Sequence, residues 1–139
     1  MSLSPLPIHL ITGLLGSGKT TTLKHLIHQK PKTEHWGVLI NEFGDIDIDA
    51  ATLQSHASNS LTVHQVSGGC VCCTARFALT DALNQLVYNS QKPPLDRLLI
   101  EPTGLGHPAK IIDILKNHPF KRPLALQAIV CVITPKQLT

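Results

Sequence analysis

The sequence predicts an α/β fold in which helices cover both faces of a mainly parallel β-sheet. Short apolar segments alternate with amphipathic helical patterns along the 139 residues, and this order indicates βαβ crossovers. The hydrophobic fraction of 42% is typical of one folded domain. It excludes a disordered tail, a fibrous repeat and a disulfide-rich mini-protein.

The first half of the chain is predicted to hold three strands and one helix. Ile8–Thr12 is a short apolar run that ends at glycine, so it indicates a buried strand. Thr20–Gln29 places three apolar side chains on one face and predicts a helix. Trp36–Asn41 and Leu61–Val66 predict the second and third strands, and the polar segment between them has one predicted helical turn near Ala50–Leu53.

The second half is predicted to hold two helices and two strands. Ala75–Tyr88 keeps its apolar residues in helical register, and the strand Arg97–Ile100 is closed by a Glu-Pro-Thr-Gly turn. Ala109–Asn117 predicts a helix that ends before a proline. The mostly apolar run Ala125–Ile133 predicts a buried fifth strand that contains Cys131.

Charge and hydropathy exclude two classes of partner. The net charge is +3 and only 15% of the residues are charged, which is not the strongly basic balance of a nucleic-acid binder. No apolar run approaches the length of a membrane helix. We therefore expect a cytoplasmic protein whose four cysteines are reduced thiols, available to metal or catalysis.

The unusual residues follow the first four predicted strands. Ligands of open parallel sheets bind at the carboxyl ends of the strands, so chain order alone predicts one shared site. The four segments are Gly13–Thr20, Asn41–Gly44, Gly68–Cys73 and Glu101–Gly104.

The first of these segments fits the phosphate-loop pattern G-x-x-x-x-G-K-[ST]. Glycines let successive backbone N–H groups point at one anion, and the following helix adds the positive end of its dipole. Lys19 is predicted to reach the β- and γ-phosphates, and the hydroxyl of Thr20 to ligate Mg²⁺. The motif alone does not separate ATP from GTP, or a hydrolase from a kinase. The predicted nucleotide-binding residues of this segment are Gly13, Gly16, Ser17, Gly18, Lys19, Thr20 and Thr21.

A second carboxylate is delivered by the fourth strand. Glu101 ends this apolar strand, where P-loop enzymes place an acid that holds Mg²⁺, and Gly104 can offer its N–H to the γ-phosphate. Lys19, Thr20 and Glu101 are thus the predicted catalytic residues. The acidic segment after the second strand falls where such proteins sense the γ-phosphate; Asp45, Asp47 and Asp49 are its candidates for approaching Mg²⁺.

Three thiols, Cys70, Cys72 and Cys73, lie within four residues. Thiolates select zinc and other soft or borderline metals, and the absence of a second cysteine pair predicts an open site suited to metal loading and release. Glu42 is the favoured remote ligand, with His64 and His107 as weaker candidates. A redox pair formed by Cys70 and Cys73 is the alternative, and it requires a helix N-terminus directly at the motif.

Taken together, Gly13–Thr20, Asn41–Gly44, Gly69–Cys73 and Glu101–Gly104 resemble the nucleotide domain of the CobW-like metallochaperone GTPases. These are relatives of the maturation GTPases of urease and [NiFe] hydrogenase. The resemblance implies a P-loop NTPase three-layer sandwich that binds GTP and Mg²⁺. It also implies that the three cysteines bind Zn²⁺ or Co²⁺, with Glu42 near the metal.

The resemblance implies GTP-dependent delivery of zinc or cobalt to a client metalloprotein or to a metal-cofactor pathway such as cobalamin biosynthesis. In the family, the guanine-reading Asn-Lys-x-Asp-type motif follows a sixth strand, and a C-terminal domain comes after it. Residues 1–139 contain neither feature, so we expect them to be part of a GTPase domain. The position at which the family commonly has an Asp after strand five holds Thr134.

Two other functions remain open at this stage. One is a P-loop small-molecule kinase or ATPase with an incidental thiol cluster, and the other is a non-catalytic zinc-binding or redox module.

An exposed edge of the sheet further predicts pairing with a second copy of the chain or strand exchange.

Overall fold

A computed structural model describes residues 4–13, 19–42, 61–67, 73–88, 93–101, 108–117 and 122–132. These hold six strands and three helices. The strands are β1 (Leu6–Gly13), β2 (Trp36–Glu42), β3 (Leu61–Ser67), β4 (Arg97–Glu101), β5 (Leu124–Leu126) and β6 (Val130–Val132). The helices are α1 (Lys19–His28), α2 (Cys73–Val87) and α3 (Pro108–Asn117).

Every strand pairing in the sheet is parallel. The strand order is β3-β2-β4-β1-β5, and β6 also pairs with β1. Parallel neighbours in a sheet need crossover connections, as the alternation of strands and helices predicts. The predicted parallel α/β fold is therefore confirmed.

Helices pack on both faces of the sheet. Alternate residues of the strands contribute to different cores, because side chains of a strand point to opposite faces. Leu98 and Ile100 of β4 belong to the larger core, which α2 and α3 cover. Leu99 belongs to the smaller core, which α1 covers through Leu23. The result is the predicted three-layer arrangement.

The predicted elements that fall on described residues agree with the structure to within two residues, apart from the fifth strand. The run Ala125–Ile133 is not one buried strand. It is divided into β5 and β6, because three residues (127–129) lie opposite two residues of β1, His9 and Leu10. This one-residue excess has the count of a β-bulge, a feature of sheet edges. Cys131 is accordingly exposed rather than buried.

Apolar residues at this edge are accessible. Ile129 is 44% exposed and Val130 is 37% exposed. Pairing of this edge with a second copy of the chain stays a prediction.

Two buried side chains, His35 and Arg122, hold segments together at the end of the sheet where the strands begin. The backbone N–H of His35 donates to Asp96 Oδ2 at 2.8 Å, and the N–H of Asp96 donates to the carbonyl of His35 at 2.7 Å. The imidazole Nδ1 lies 2.7 Å from the carbonyl of Pro93, and Nε2 lies 2.8 Å from Thr62 Oγ1. A carbonyl only accepts, so Nδ1 carries the proton. His35 thus links segments that enter β2, β3 and β4.

Arg122 is the second of these residues. Its guanidinium donates to the carbonyls of Ser4 at 2.9 Å and Leu95 at 2.7 Å, and its backbone N–H donates to the hydroxyl of Tyr88 at 3.1 Å. Burial lowers the pKa of the Arg122 guanidinium, and the carboxylate of Asp96 partly counteracts this. Arg122 therefore joins segments that are distant in the chain, which stabilises the start of the sheet.

Replacing Gly37 with alanine is expected to lower the free energy of unfolding by about 1–3 kcal/mol. A Cβ at Gly37 would lie 2.8 Å from Leu95 Cδ1 and 3.1 Å from Leu98 Cδ1. Both leucines are buried in the core and have little room to move. Denaturant unfolding measures the effect. The loss of stability caused by Gly37→Ala should be smaller in a Leu95→Val background, where the clashing side chain is shorter. An unchanged denaturation midpoint for Gly37→Ala would contradict the close packing.

No helix within the described ranges is long and apolar enough to cross a membrane. The longest, α2, has 15 residues, and a span needs about 20.

Candidate functional site

The carboxyl ends of four strands meet at one edge of the sheet. Across this edge the strands lie in the order β3, β2, β4, β1, and they end at Ser67, Glu42, Glu101 and Gly13. Neighbouring strands are about 4.8 Å apart, so the ends of β3 and β1 are separated by about 14 Å. The convergence predicted from chain order is therefore present for these strand ends.

The phosphate-loop motif has the strand and helix that it requires. β1 ends at Gly13, the first residue of the motif, and α1 begins at Lys19 and Thr20, its last two residues. Thr21 lies in the first turn of α1 and is exposed. The segment between, with Gly16, Ser17 and Gly18, lies outside the described residues. A helix N-terminus that follows a strand and a glycine-rich sequence is suited to binding an anion, so β1 and α1 are placed as a phosphate site requires.

Glu101 is a buried carboxylate beside this motif, with 9% of its surface exposed. It lies opposite Ile40 of β2 and one residue beyond the Leu10–Ile100 pair of β1 and β4. The alternation of β4 places Glu101 with Leu99 on the side of the sheet that α1 covers. The carboxylate is thus held on the same side as the helix that begins with Lys19 and Thr20. Gly104 lies outside the described residues.

The thiol segment, residues 68–73, follows β3, the strand that pairs with β2. β2 and β3 pair along their whole length, so that Glu42 is directly opposite Ser67. Five residues, 68–72, connect Ser67 to the first residue of α2, Cys73. Cys70 and Cys72 belong to this connection and lie outside the described residues. The backbone of Glu42 is therefore beside Ser67, the last residue before the connection.

His64 is less well placed than Glu42 as a remote ligand. It is half-buried and pairs with Leu39, three residues before the end of β3, which is about 10 Å from the edge. His107, Asp45, Asp47, Asp49, Thr134 and the turn Ala50–Leu53 lie outside the described residues. Among the part of the chain that the structure describes, no three His, Cys, Asp or Glu side chains form a metal-binding group.

The redox alternative meets one of its requirements. Because α2 begins at Cys73, a helix N-terminus coincides with the last cysteine of the C-x-x-C spacing. The positive end of a helix dipole favours a thiolate. A thiolate serves equally as a metal ligand, so this feature does not by itself separate the two chemistries.

One polar cluster, near the beginning of the strands rather than at the site, has no recognisable sequence signal. Arg97 of β4 contacts both His9 of β1 and Trp36 of β2 on the α1 side of the sheet. The residues are distant in the chain, and only the strand order brings them together. The direct pairing of Glu42 with Ser67 likewise results from the strand order and has no local sequence signal.

The chain is similar to known proteins over most of its length. Residues 7–139 match the family described as CobW/HypB/UreG, nucleotide-binding domain. The zinc chaperone YeiR of Escherichia coli (strain K12) is 45% identical over 130 residues, which are 94% of this chain and 38% of that protein. The zinc chaperone YjiA of the same strain is 36% identical over 118 residues, 84% of this chain and 36% of YjiA.

A eukaryotic relative shows similar coverage. The zinc-regulated GTPase metalloprotein activator 1 of Schizosaccharomyces pombe is 30% identical over 141 residues, 99% of this chain and 34% of that protein. The chain therefore spans little more than a third of the length of these relatives. No solved structure shows a significant match.

Proposed function

The chain belongs to the CobW/HypB/UreG family of nucleotide-binding domains, and from this premise we propose that it is the nucleotide-binding part of a GTP-dependent zinc metallochaperone. The names of its relatives carry both halves of this function, zinc chaperone and GTPase metalloprotein activator. The proposed partners are a nucleotide, a metal ion and a client metalloprotein, and the proposed location is the cytoplasm, where the cysteines stay reduced.

The observation that carries the proposal is the order of strand ends at the site edge, the edge of the sheet at which β3, β2, β4 and β1 end. β3, which leads to the thiol segment, is adjacent to β2, which ends at Glu42. β1, which leads to the phosphate loop, is adjacent to β4, which ends at the second acid, Glu101. The two pairs meet where Ile40 of β2 lies beside Glu101 of β4. A nucleotide site and a metal site would thus share one edge.

On the nucleotide side, each proposed residue has a distinct role. Backbone N–H groups of Gly13–Thr20 bind the phosphates, Lys19 pairs with the β- and γ-phosphate oxygens, and Gly104 meets the γ-phosphate. The Thr20 hydroxyl and the Glu101 carboxylate are the hard oxygen donors that Mg²⁺ takes, so the donor set fits this ion. Bound there, Mg²⁺ would neutralise charge that develops on the phosphates during hydrolysis.

On the metal side, zinc is the cargo. Cys70, Cys72 and Cys73 would supply three thiolates, and Glu42 would complete the site while cargo is held. A carboxylate ligand from a separate strand is easier to withdraw than a fourth thiolate on the same segment. Co²⁺ is the alternative cargo for this donor set, and cobalamin synthesis is a pathway that would consume it.

Nucleotide state is proposed to control metal affinity. β2 ends at Glu42, and the chain continues directly into the acidic segment that contains Asp45, Asp47 and Asp49. Contacts of this segment with the γ-phosphate would fix Glu42 at the thiol segment, and hydrolysis would release it. Such coupling is reciprocal, so zinc should also alter GTP affinity.

We expect zinc affinity to differ about 5- to 150-fold between the GTP-bound and nucleotide-free states, the usual range of coupling between two sites. Titration of Zn²⁺ with and without a non-hydrolysable GTP analogue measures the difference. The same titration with an ATP analogue is the control for the base, and titration with Co²⁺ compares the two cargoes. Identical zinc affinities in all nucleotide states would contradict the coupling.

The kinase alternative makes a different prediction. A small-molecule kinase would transfer phosphate to an organic acceptor, and its activity would not depend on the thiol segment. GTP turnover that responds to zinc favours the chaperone instead.

A further inference from the structure

His9, Arg97 and Trp36 form a cross-strand cluster on the α1 side of the sheet. Arg97 lies on β4, between the strands that carry the other two residues. Its Nη1 is hydrogen-bonded to Nε2 of His9 on β1, and its Cζ lies 5.6 Å from the ring centroid of Trp36 on β2. This distance is within the range of a cation–π contact. One guanidinium therefore joins three neighbouring strands.

The hydrogen bond requires a neutral imidazole. An arginine guanidinium has donors and no acceptor, and it stays charged at every physiological pH. Nε2 of His9 must therefore accept, and the ring proton must be on Nδ1. Protonation of His9 would turn the acceptor into a donor and would place a second positive charge against Arg97.

Among the residues that the structure describes, no acid is paired with His9. Glu34 accepts a hydrogen bond from Nε1 of Trp36 at 3.4 Å, on the far side of Arg97. Glu101 lies two positions beyond Leu99, which pairs with His9, and it is buried toward the site edge. β5 carries no titratable residue. The titratable residues that α1 contributes within its described side chains are Lys24, His25 and His28.

We propose that His9 and Arg97 form a proton-sensitive latch between β1 and β4. While His9 is neutral, the latch holds together the two strands that end at Gly13 and Glu101. When His9 binds a proton, Arg97 is repelled from β1 and retains its contact with Trp36 on β2. The latch thus has two arrangements, distinguished by whether Arg97 contacts His9.

The direction of the pH effect follows from the folded-state pKa. Burial, and secondarily the charge of Arg97, lowers the pKa of His9 below its ordinary value of 6.5. At a pH between 6.5 and the folded-state pKa of His9, this imidazole binds a proton in the unfolded chain but not in the folded chain. The latch therefore stabilises the fold fully above pH 6.5, and this contribution is lost as the pH falls through that window.

The test uses Trp36, the single tryptophan of the sequence. Its fluorescence is followed from pH 8 to pH 5 without nucleotide, so the result does not depend on the proposed GTPase function. We expect a transition with its midpoint below pH 6.5. In the same window the unfolding equilibrium constant should increase by up to about tenfold per pH unit. If the proposed function also holds, GTP affinity should fall there.

Two variants and one direct measurement separate the outcomes. His9→Gln keeps an acceptor for Arg97 but does not titrate, and it should abolish the fluorescence transition. His25→Gln removes an exposed histidine of α1 and should leave the transition in place. NMR titration of the His9 imidazole in the unmodified protein needs no variant. A transition that survives His9→Gln, or a His9 that titrates at or above pH 6.5, would overturn the proposal.

Discussion

Replacing Cys72 with serine is expected to weaken zinc binding by about 100-fold or more. The zinc ligand is a thiolate, and a serine hydroxyl stays protonated at neutral pH. Loss of a group that only supports a ligand already costs 10- to 100-fold in metal affinity, so loss of a ligand should cost at least the upper end of this range. Competition with a chromophoric chelator, under reducing conditions, measures the affinity.

Cys131→Ser is the matched control for this experiment. Cys131 is an exposed free thiol on β6, which pairs with β1 rather than with β3. β6 is four strand spacings from β3, the strand that precedes the thiol segment, or about 19 Å across the sheet. Replacement of Cys131 should leave zinc affinity unchanged. Equal affinities for Cys72→Ser and the unmodified protein would contradict a site built from all three thiols.

Comparison of Cys72→Ser with Cys70→Ser tests the redox alternative. Cys72 lies inside the C-x-x-C spacing but is not one of the two cysteines that would form the disulfide. A redox pair of Cys70 and Cys73 should therefore cycle normally in Cys72→Ser and fail in Cys70→Ser. Metal binding predicts that both substitutions are damaging.

Chain order was sufficient to predict that four strand ends share one edge. In a parallel sheet all strands run the same way, so the residues that follow them are collected without knowledge of which strands are neighbours. The neighbours themselves could not be predicted. Glu42 faces Ser67, and Ile40 faces Glu101, because of how apolar faces from distant segments pack. Sequence periodicity does not record that packing.

The fifth strand shows a second limit. The apolar run Ala125–Ile133 has the composition of a buried strand, but composition does not reveal one extra residue opposite His9 and Leu10. The bulge and the edge position leave Ile129 and Val130 exposed. Periodicity describes which residues can form a strand, whereas register depends on the strand beside it.

Side-chain contacts between distant segments are the third limit. His35 belongs to no motif of the sequence, yet its contacts link segments of β2, β3 and the approach to β4. Arg97 and His9 are 88 residues apart. No local spacing in the sequence reveals the contacts of His35 or the contact between Arg97 and His9, because both depend on which strands become neighbours.

Replacing Glu101 with glutamine is expected to lower the GTP turnover number by about 10²- to 10³-fold, which corresponds to about 3–4 kcal/mol of transition-state stabilisation. Glutamine keeps the size of the side chain in its buried position but removes the negative charge that would hold Mg²⁺. Single-turnover hydrolysis at saturating Mg²⁺ measures the chemical step. Asp81→Asn, at an exposed carboxylate of α2 that accepts a hydrogen bond from Gln85 at 2.9 Å, is the control for general loss of charge.

The Glu101 variant also separates the two halves of the proposed function. β4 lies between β1 and β2, so Glu101 adjoins both the phosphate side and the metal side of the edge. Its charge is assigned to the nucleotide side alone. Zinc affinity without nucleotide should therefore match that of the unmodified protein, while turnover falls. Unchanged turnover would contradict the assignment of Glu101 to the Mg²⁺ site. Weakened zinc binding without nucleotide would instead place this carboxylate in the metal site, because a buried charge stabilises the cation nearest to it.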